Sequence, residues 1–134
     1  MSRYLLDTNA VSNLMREPAG PVGRRIRDVG GRAIYTSVIV AAEIRFGLAK
    51  SAASNLARRL DDLLSELSVE PFQEPMDQIY GQLRADLERR GTPIGANDLW
   101  IATQALHDGS VLVTDNMREF GRVPSLVVEN WLRP

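Results

Sequence analysis

The sequence predicts an α/β fold in three layers, α/β/α, around a mostly parallel central sheet. Short apolar runs alternate with amphipathic helical stretches along the whole chain, and that alternation is the signature of strands joined by helical crossovers. The 134 residues form an expected single domain, 1–134, since 44% hydrophobic and 25% charged residues is ordinary globular composition. No linker, repeat or low-complexity segment divides it.

Tyr4-Leu5-Leu6 reads as a buried strand that ends at Asp7. Thr8-Asn9 is expected to cap a helix through Asn13-Leu14-Met15, broken between Pro18 and Pro21. A second helix runs from Val22 to Val29 and stops at Gly30-Gly31. Ala33-Ile34-Tyr35-Thr36 is the next strand, after which Ser37 caps a helix reaching Lys50. From Ala53 to Leu67 the residues Leu56, Leu60, Leu63, Leu64 and Leu67 share one helical face. Val69-Glu70-Pro71-Phe72 is a strand that Pro71 confines to an edge or an end. Pro75 opens a helix through Ile79, Leu83 and Leu87 that Gly91 stops. After the loop Gly91 to Asn97, a helix spans Asp98 to His107, with Gly109 as its stop. Val111-Leu112-Val113 is the clearest strand, and Leu126-Val127-Val128 the last.

The chain carries 16 Lys+Arg against 17 Asp+Glu, a net charge of −1, which argues against a protein held to nucleic acid by bulk positive charge alone. One of the 16 is lysine, Lys50, and the others are arginine. With no cysteine, disulfides, zinc-thiolate sites and thiol nucleophiles are excluded. His107 is the sole histidine, which removes His-rich metal centres. No stretch approaches the length of a membrane span, and Asp7 arrives too early for a signal peptide, so a cytoplasmic protein is expected.

Ligands of open parallel sheets sit beyond the carboxyl ends of the strands. Asp7 stands there after the first strand, and Thr114, Asp115 and Asn116 after the strand at Val111 to Val113. Asp98 shares a helical stripe with Ile101, Ala102 and Ala105, and Glu43 shares one with Ile39, Phe46 and Gly47, so both acids are expected to face the core. A carboxylate placed so is costly unless it is paired or binds a metal. Each acid also has a plainer explanation: Asp7 as a helix cap, Asp98 as a first-turn acid favoured by the helix dipole, Glu43 turned to solvent, Asp115 in a turn. Taken together, clustered oxygen ligands with few local cations select Mg²⁺ or Mn²⁺, and such a metal activates water for phosphodiester hydrolysis.

These blocks resemble a PIN-domain ribonuclease, most closely a VapC-type toxin of a toxin–antitoxin pair. The resemblance is carried by Leu5-Leu6-Asp7-Thr8-Asn9, by Ser37 to Glu43 with Phe46-Gly47, by Gly91 to Asp98 with Ile101-Ala102, and by Val113 to Phe120 with Val123-Pro124. It covers essentially the whole chain. It implies a parallel-sheet α/β/α fold and Mg²⁺-dependent endonucleolytic cleavage of RNA, with structured RNA such as tRNA among the targets. Asp7, Glu43 and Asp98 match the acidic site: Asp7 and Asp98 as direct metal ligands, Glu43 at a second metal or orienting the water. The fourth position falls on Asn116, not an acid, with Asp115 one residue earlier; Asn116 is expected to hold a metal-bound water. Thr114, Asp115 and Asn9 are expected to support the ligands from behind. The resemblance further implies a cognate antitoxin whose C-terminal segment covers the active-site groove, a homodimer, and contact with operator DNA only through the antitoxin.

An acidic site that cuts a polyanion needs positive charge at its rim. Arg118 and Arg122, after the catalytic-edge loop, are the first candidates for RNA phosphates, and Arg89 and Arg90, leading into the loop at Gly91, the next. Trp100 points away from the face of Asp98 and is expected to pack between helices; Trp131 reads as a C-terminal anchor.

Two other functions compete. A phosphotransfer domain would use Asp7 as an aspartyl nucleophile, but needs a second acid where Asn9 stands and a lysine after a late strand, where none occurs. A non-catalytic module binding RNA or a partner leaves the acids on core-facing stripes without a purpose.

Overall fold

Five parallel strands form one sheet in the order β3-β2-β1-β4-β5. They are β1 (Tyr4–Leu6), β2 (Ile34–Ser37), β3 (Ser68–Glu70), β4 (Val111–Val113) and β5 (Val128–Glu129). The crossovers are α1 (Thr8–Arg16), α2 (Pro21–Val29), α3 (Val38–Ser51), α4 (Ser54–Glu66), α5 (Met76–Arg89), α6 (Ala96–Asp108) and α7 (Met117–Phe120), with a 3₁₀ turn at Gly31–Ala33. This is a computed structural model that describes residues 2–51 and 54–133; Ala53, the expected start of the fourth helix, lies outside the described residues.

The chain lays β1 in the middle, steps outward through β2 to β3, and then returns across β1 to build β4 and β5 on the other side. The order reverses between β1 and β4, and in such sheets that reversal opens a crevice at the carboxyl edge. Leu5, Leu6, Leu112 and Val113 on the two central strands are fully buried, as continuous apolar strands covered on both faces must be.

Several boundaries move for identifiable reasons. β3 ends at Glu70 rather than Phe72, because Pro71 has no N–H to donate to a ladder; it is an outer strand, as the proline requires. Helix α6 begins at Ala96, with Gly95 at its N-cap, so Asp98 lies inside the first turn rather than at its start. Gly109 ends it in the left-handed conformation, φ 65°, that glycine adopts without steric cost. The four-residue α7 was not expected; it is pinned by Phe120, which is buried.

Trp100 packs between α5 and α6, stacked on Tyr80 at 3.6 Å and meeting Phe72 edge-on at 4.7 Å. Trp131 anchors the C-terminal segment: its ring lies 5.0 Å from that of Tyr4, and its indole N–H donates to Glu129 at 2.9 Å. Among the described residues no helix is long and apolar enough to cross a membrane.

Candidate active site

Asp7 is placed by the sheet. Its backbone N–H donates to the Val113 carbonyl at 3.0 Å, extending the β1–β4 ladder one residue past the strand. Asp7 and Thr114 therefore leave the sheet side by side at the switch point. Asp7 rather than Thr8-Asn9 caps α1, its Oδ1 accepting from the Ala10 N–H at 2.9 Å. At 4% exposure it is nearly shut away from water. Burial pushes its carboxyl up to about 6, against the pull of the Thr114 hydroxyl and the Ala10 amide. The capping role and the buried-acid role thus coexist in one side chain.

The two residues expected to cap do something else. Thr8 donates its hydroxyl to Glu43 Oε1 at 3.0 Å, tying α1 to α3. Asn9 donates to Asp115 Oδ1 at 2.7 Å, tying α1 to the turn after β4.

Asp98 is half-buried on the first turn of α6, above the buried Ile101, Ala102 and Ala105. Burial first, then a hydrogen bond shared with Glu119, then the charges of Glu119, Glu43 and Asp7 push its carboxyl up to about 7. Asn116 Nδ2 donates to Asp98 Oδ2 at 3.4 Å and to Glu119 Oε2 at 3.0 Å, while its backbone N–H donates to Thr114 Oγ1 at 2.9 Å. Glu119 Oε1 accepts from the Gly95 N–H at 2.6 Å. That amide, followed by Asn116, holds the Glu119 carboxyl below its ordinary range.

Glu119 was missed from the sequence. The chain does present a fourth acid, one helical turn after Asn116 rather than at the Thr-x-Asp/Asn position. The signal was the spacing: Asn116 and Glu119 are i and i+3 once Met117–Phe120 is helical.

Glu43 reaches the group from α3, and its charge acts on Asp98. Its stripe does not face the core as expected. Val40, Ala41 and Ile44 form the buried face of α3, whereas Glu43 lies at its margin and Phe46 and Gly47 are exposed. Lys50, the lone lysine, lies beside Phe46, its Nζ 5.5 Å from the ring.

The arginines divide. Arg122 donates to the Pro93 carbonyl at 2.7 Å and lends its charge to Glu119, so it braces the loop before α6 as well as standing at the rim. Arg118 is exposed on α7 and, among the described residues, makes no side-chain hydrogen bond. Arg89 turns back onto Asp86, and Arg90 caps the end of α5; neither side chain bonds to the acidic group.

Asp98 thus feels the charges of Asp7, Glu43 and Glu119, and Arg122 offsets the charge of Glu119. Among the described residues no three acids already close on one point as a ligand set. Mg²⁺ does not require one: it keeps several waters and is held through one or two carboxylates. The donors here are all oxygen, the class such an ion takes, and the upward-shifted Asp7 and Asp98 are the groups its charge would relieve.

Comparison with known proteins agrees with this fold. The PIN domain family model matches residues 4–126. A ribonuclease VapC2 of Rickettsia felis is 38% identical over 130 residues, covering 96% of this chain and 97% of that protein. A tRNA(fMet)-specific endonuclease VapC of Salmonella typhimurium is 34% identical over 133 residues, covering 98% and 99%. The solved VapBC2 of Rickettsia felis bound to a DNA fragment from its promoter superposes with a TM-score of 0.86 at 35% identity, covering 96% of this chain and 98% of that one. DNA-bound VapBC from Salmonella typhimurium gives 0.89 at 32% identity, covering 98% and 99%. With that family model over residues 4–126 and VapC ribonucleases matched over nearly the whole chain, the protein belongs to the PIN domain family and to its VapC ribonucleases.

Proposed function

We propose that the chain, 1–134 as one PIN domain, is a Mg²⁺-dependent endoribonuclease, the toxin of a toxin–antitoxin pair, working in the cytoplasm. The observation that carries this is Asp7 buried at the β1–β4 switch point with Asp98 within reach of the charges of Asp7, Glu43 and Glu119, the Asp7 carboxyl driven upward by burial and the Asp98 carboxyl by burial and those neighbours. A site that gathers more negative charge than Arg122 offsets is suited to receive a divalent ion.

Asp7 and Asp98 would hold Mg²⁺ directly, with Mn²⁺ able to substitute, and Glu43 from the α3 side. The bound ion supplies charge neutralisation at the phosphoryl oxygens and activation of water for attack at phosphorus. Thr8 fixes the Glu43 carboxylate, and Asn116 fixes those of Asp98 and Glu119, so the ligands lose little freedom on binding. Arg118 and Arg122 take flanking RNA phosphates, with Arg89 and Arg90 more distant contributors.

VapC relatives are solved as VapBC complexes, some bound to DNA. By that likeness this chain pairs with a cognate antitoxin whose C-terminal segment covers the acidic groove, reaches operator DNA only through it, and forms a homodimer. One relative is named for tRNA(fMet), which makes tRNA the first substrate to try. Expression in a bacterial host without the antitoxin tests the assignment. Growth should arrest, and Asp7→Ala should relieve the arrest; equal toxicity of both forms would refute the assignment.

A further inference from the structure

We propose that Phe46, Gly47 and Lys50 on α3 form a subsite for an unpaired base of the RNA beside the bond that is cut, an inference that rests on the endoribonuclease assignment above. Phe46 is 66% exposed, the most exposed of the large hydrophobic side chains among the described residues. It follows Glu43 by three positions and Gly47 follows it by four, so all three share one flank of α3. One helical turn, a rise of about 5 Å, therefore separates the ring's place on α3 from that of the acid at the cleft. A base next to a phosphate held at the acids falls within that reach.

Gly47 points the same way. Glycine inside a helix weakens it relative to alanine. A Cβ at Gly47 would meet nothing within 4 Å, so no packing inside this chain requires its absence. The bare backbone leaves a shelf beside the ring for something outside the chain. Lys50 Nζ stands over the ring, 5.5 Å from its centroid, and brings a positive charge to the same spot. Ring face plus adjacent cation is the pairing by which proteins take single-stranded nucleic acid. The patch is one ring wide: Arg45 beside it is committed to Asp61 at 3.0 Å, and Glu43 and Lys50 bound it on the other sides. That breadth suits a base better than the apolar face of a partner helix.

The test uses full-length protein in EDTA, a fluorescein-labelled single-stranded oligoribonucleotide and a salt titration. Phe46→Ala should weaken binding about tenfold without changing the salt dependence. Lys50→Ala should reduce the slope of log K against log salt by about 0.7. Phe46→Trp should restore affinity, with its fluorescence quenched by RNA. Gly47→Ala should raise the melting temperature while weakening binding, a combination that a purely structural glycine cannot give. Unchanged RNA affinity in Phe46→Ala overturns the proposal, whether or not the variant alters self-association or antitoxin capture. Wild-type protein that neither binds nor cuts RNA removes the assignment beneath it as well. Wild-type cleavage with no Phe46 effect removes this inference alone.

Discussion

The backbone amide of Gly95 donates to Oε1 of Glu119 at 2.6 Å, so an acid on the short α7 grips the N-cap residue of α6. Asp98 rides on the first turn of that helix and shares a hydrogen bond with the same Glu119. Replacing Glu119 by Gln keeps an oxygen for Gly95 but removes the charge that helps hold the proton on Asp98. The carboxyl of Asp98 should then titrate below its present value of about 7, visible by ¹³C NMR of the side chain in metal-free protein. Glu119→Ala also leaves the Gly95 amide without its partner and should cost about 1 kcal/mol in urea denaturation. An unmoved Asp98 titration would show that Glu119 does not govern it.

The upward shifts set how metal-free protein responds to pH. Asp7 at about 6 and Asp98 at about 7 both lie above the ordinary 3.8. Between those limits the folded state binds more protons than the unfolded one, so stability falls as pH rises through the window from about 4 to 7. In EDTA the melting temperature should be lower at about pH 8 than at about pH 5, and Asp98→Asn should flatten the decline. A pH-independent melt would contradict the burial of these charges.

Divalent cation should reverse that loss. An ion that binds only the folded state stabilises it by about 2.7 kcal/mol at a hundredfold excess over its dissociation constant. Adding Mg²⁺ at neutral pH should therefore raise the wild-type melting temperature and raise that of Asp7→Asn or Asp98→Asn much less. Equal gains in all three proteins would place the bound ion elsewhere.

Asp7 separates capping from catalysis. Asparagine caps a helix as well as aspartate does, whereas alanine loses the bond to Ala10 at a cost of about 1 kcal/mol. Asp7→Asn should fold at least as stably as wild type in EDTA at neutral pH, since it removes a buried charge, and Asp7→Ala should melt lower. Both should lose RNA cleavage. Retained cleavage in Asp7→Asn would remove Asp7 from the metal-binding set.

Much of this architecture was legible because it rests on local rules. The apolar runs at Tyr4 to Leu6 and Val111 to Val113 and the stops at Gly91 and Gly109 each act within a few residues. So did the acids Asp7 and Asp98, which follow a strand and open a helical stripe. What escaped depended on distant partners. Helix α7 is too short for periodicity to reveal and exists because Phe120 is buried and the Asn116–Glu119 bond closes over it. Without α7, Glu119 is one acid among many. The stripe of Glu43 looked core-facing because Phe46 is apolar, yet the burial of Val40, Ala41 and Ile44 turns that ring outward. Arg122 looked like a rim cation, and its hold on Pro93 appears only once the loop is folded against α7.

The most direct test is cleavage of RNA, tRNA included, by purified protein in Mg²⁺ or in EDTA, alongside Asp98→Asn. Wild type in Mg²⁺ should cut, EDTA should abolish cutting, and Asp98→Asn should lower the rate by about a hundredfold or more while remaining folded. Cleavage that survives both the chelator and the substitution would contradict a metal-dependent site built on Asp7 and Asp98.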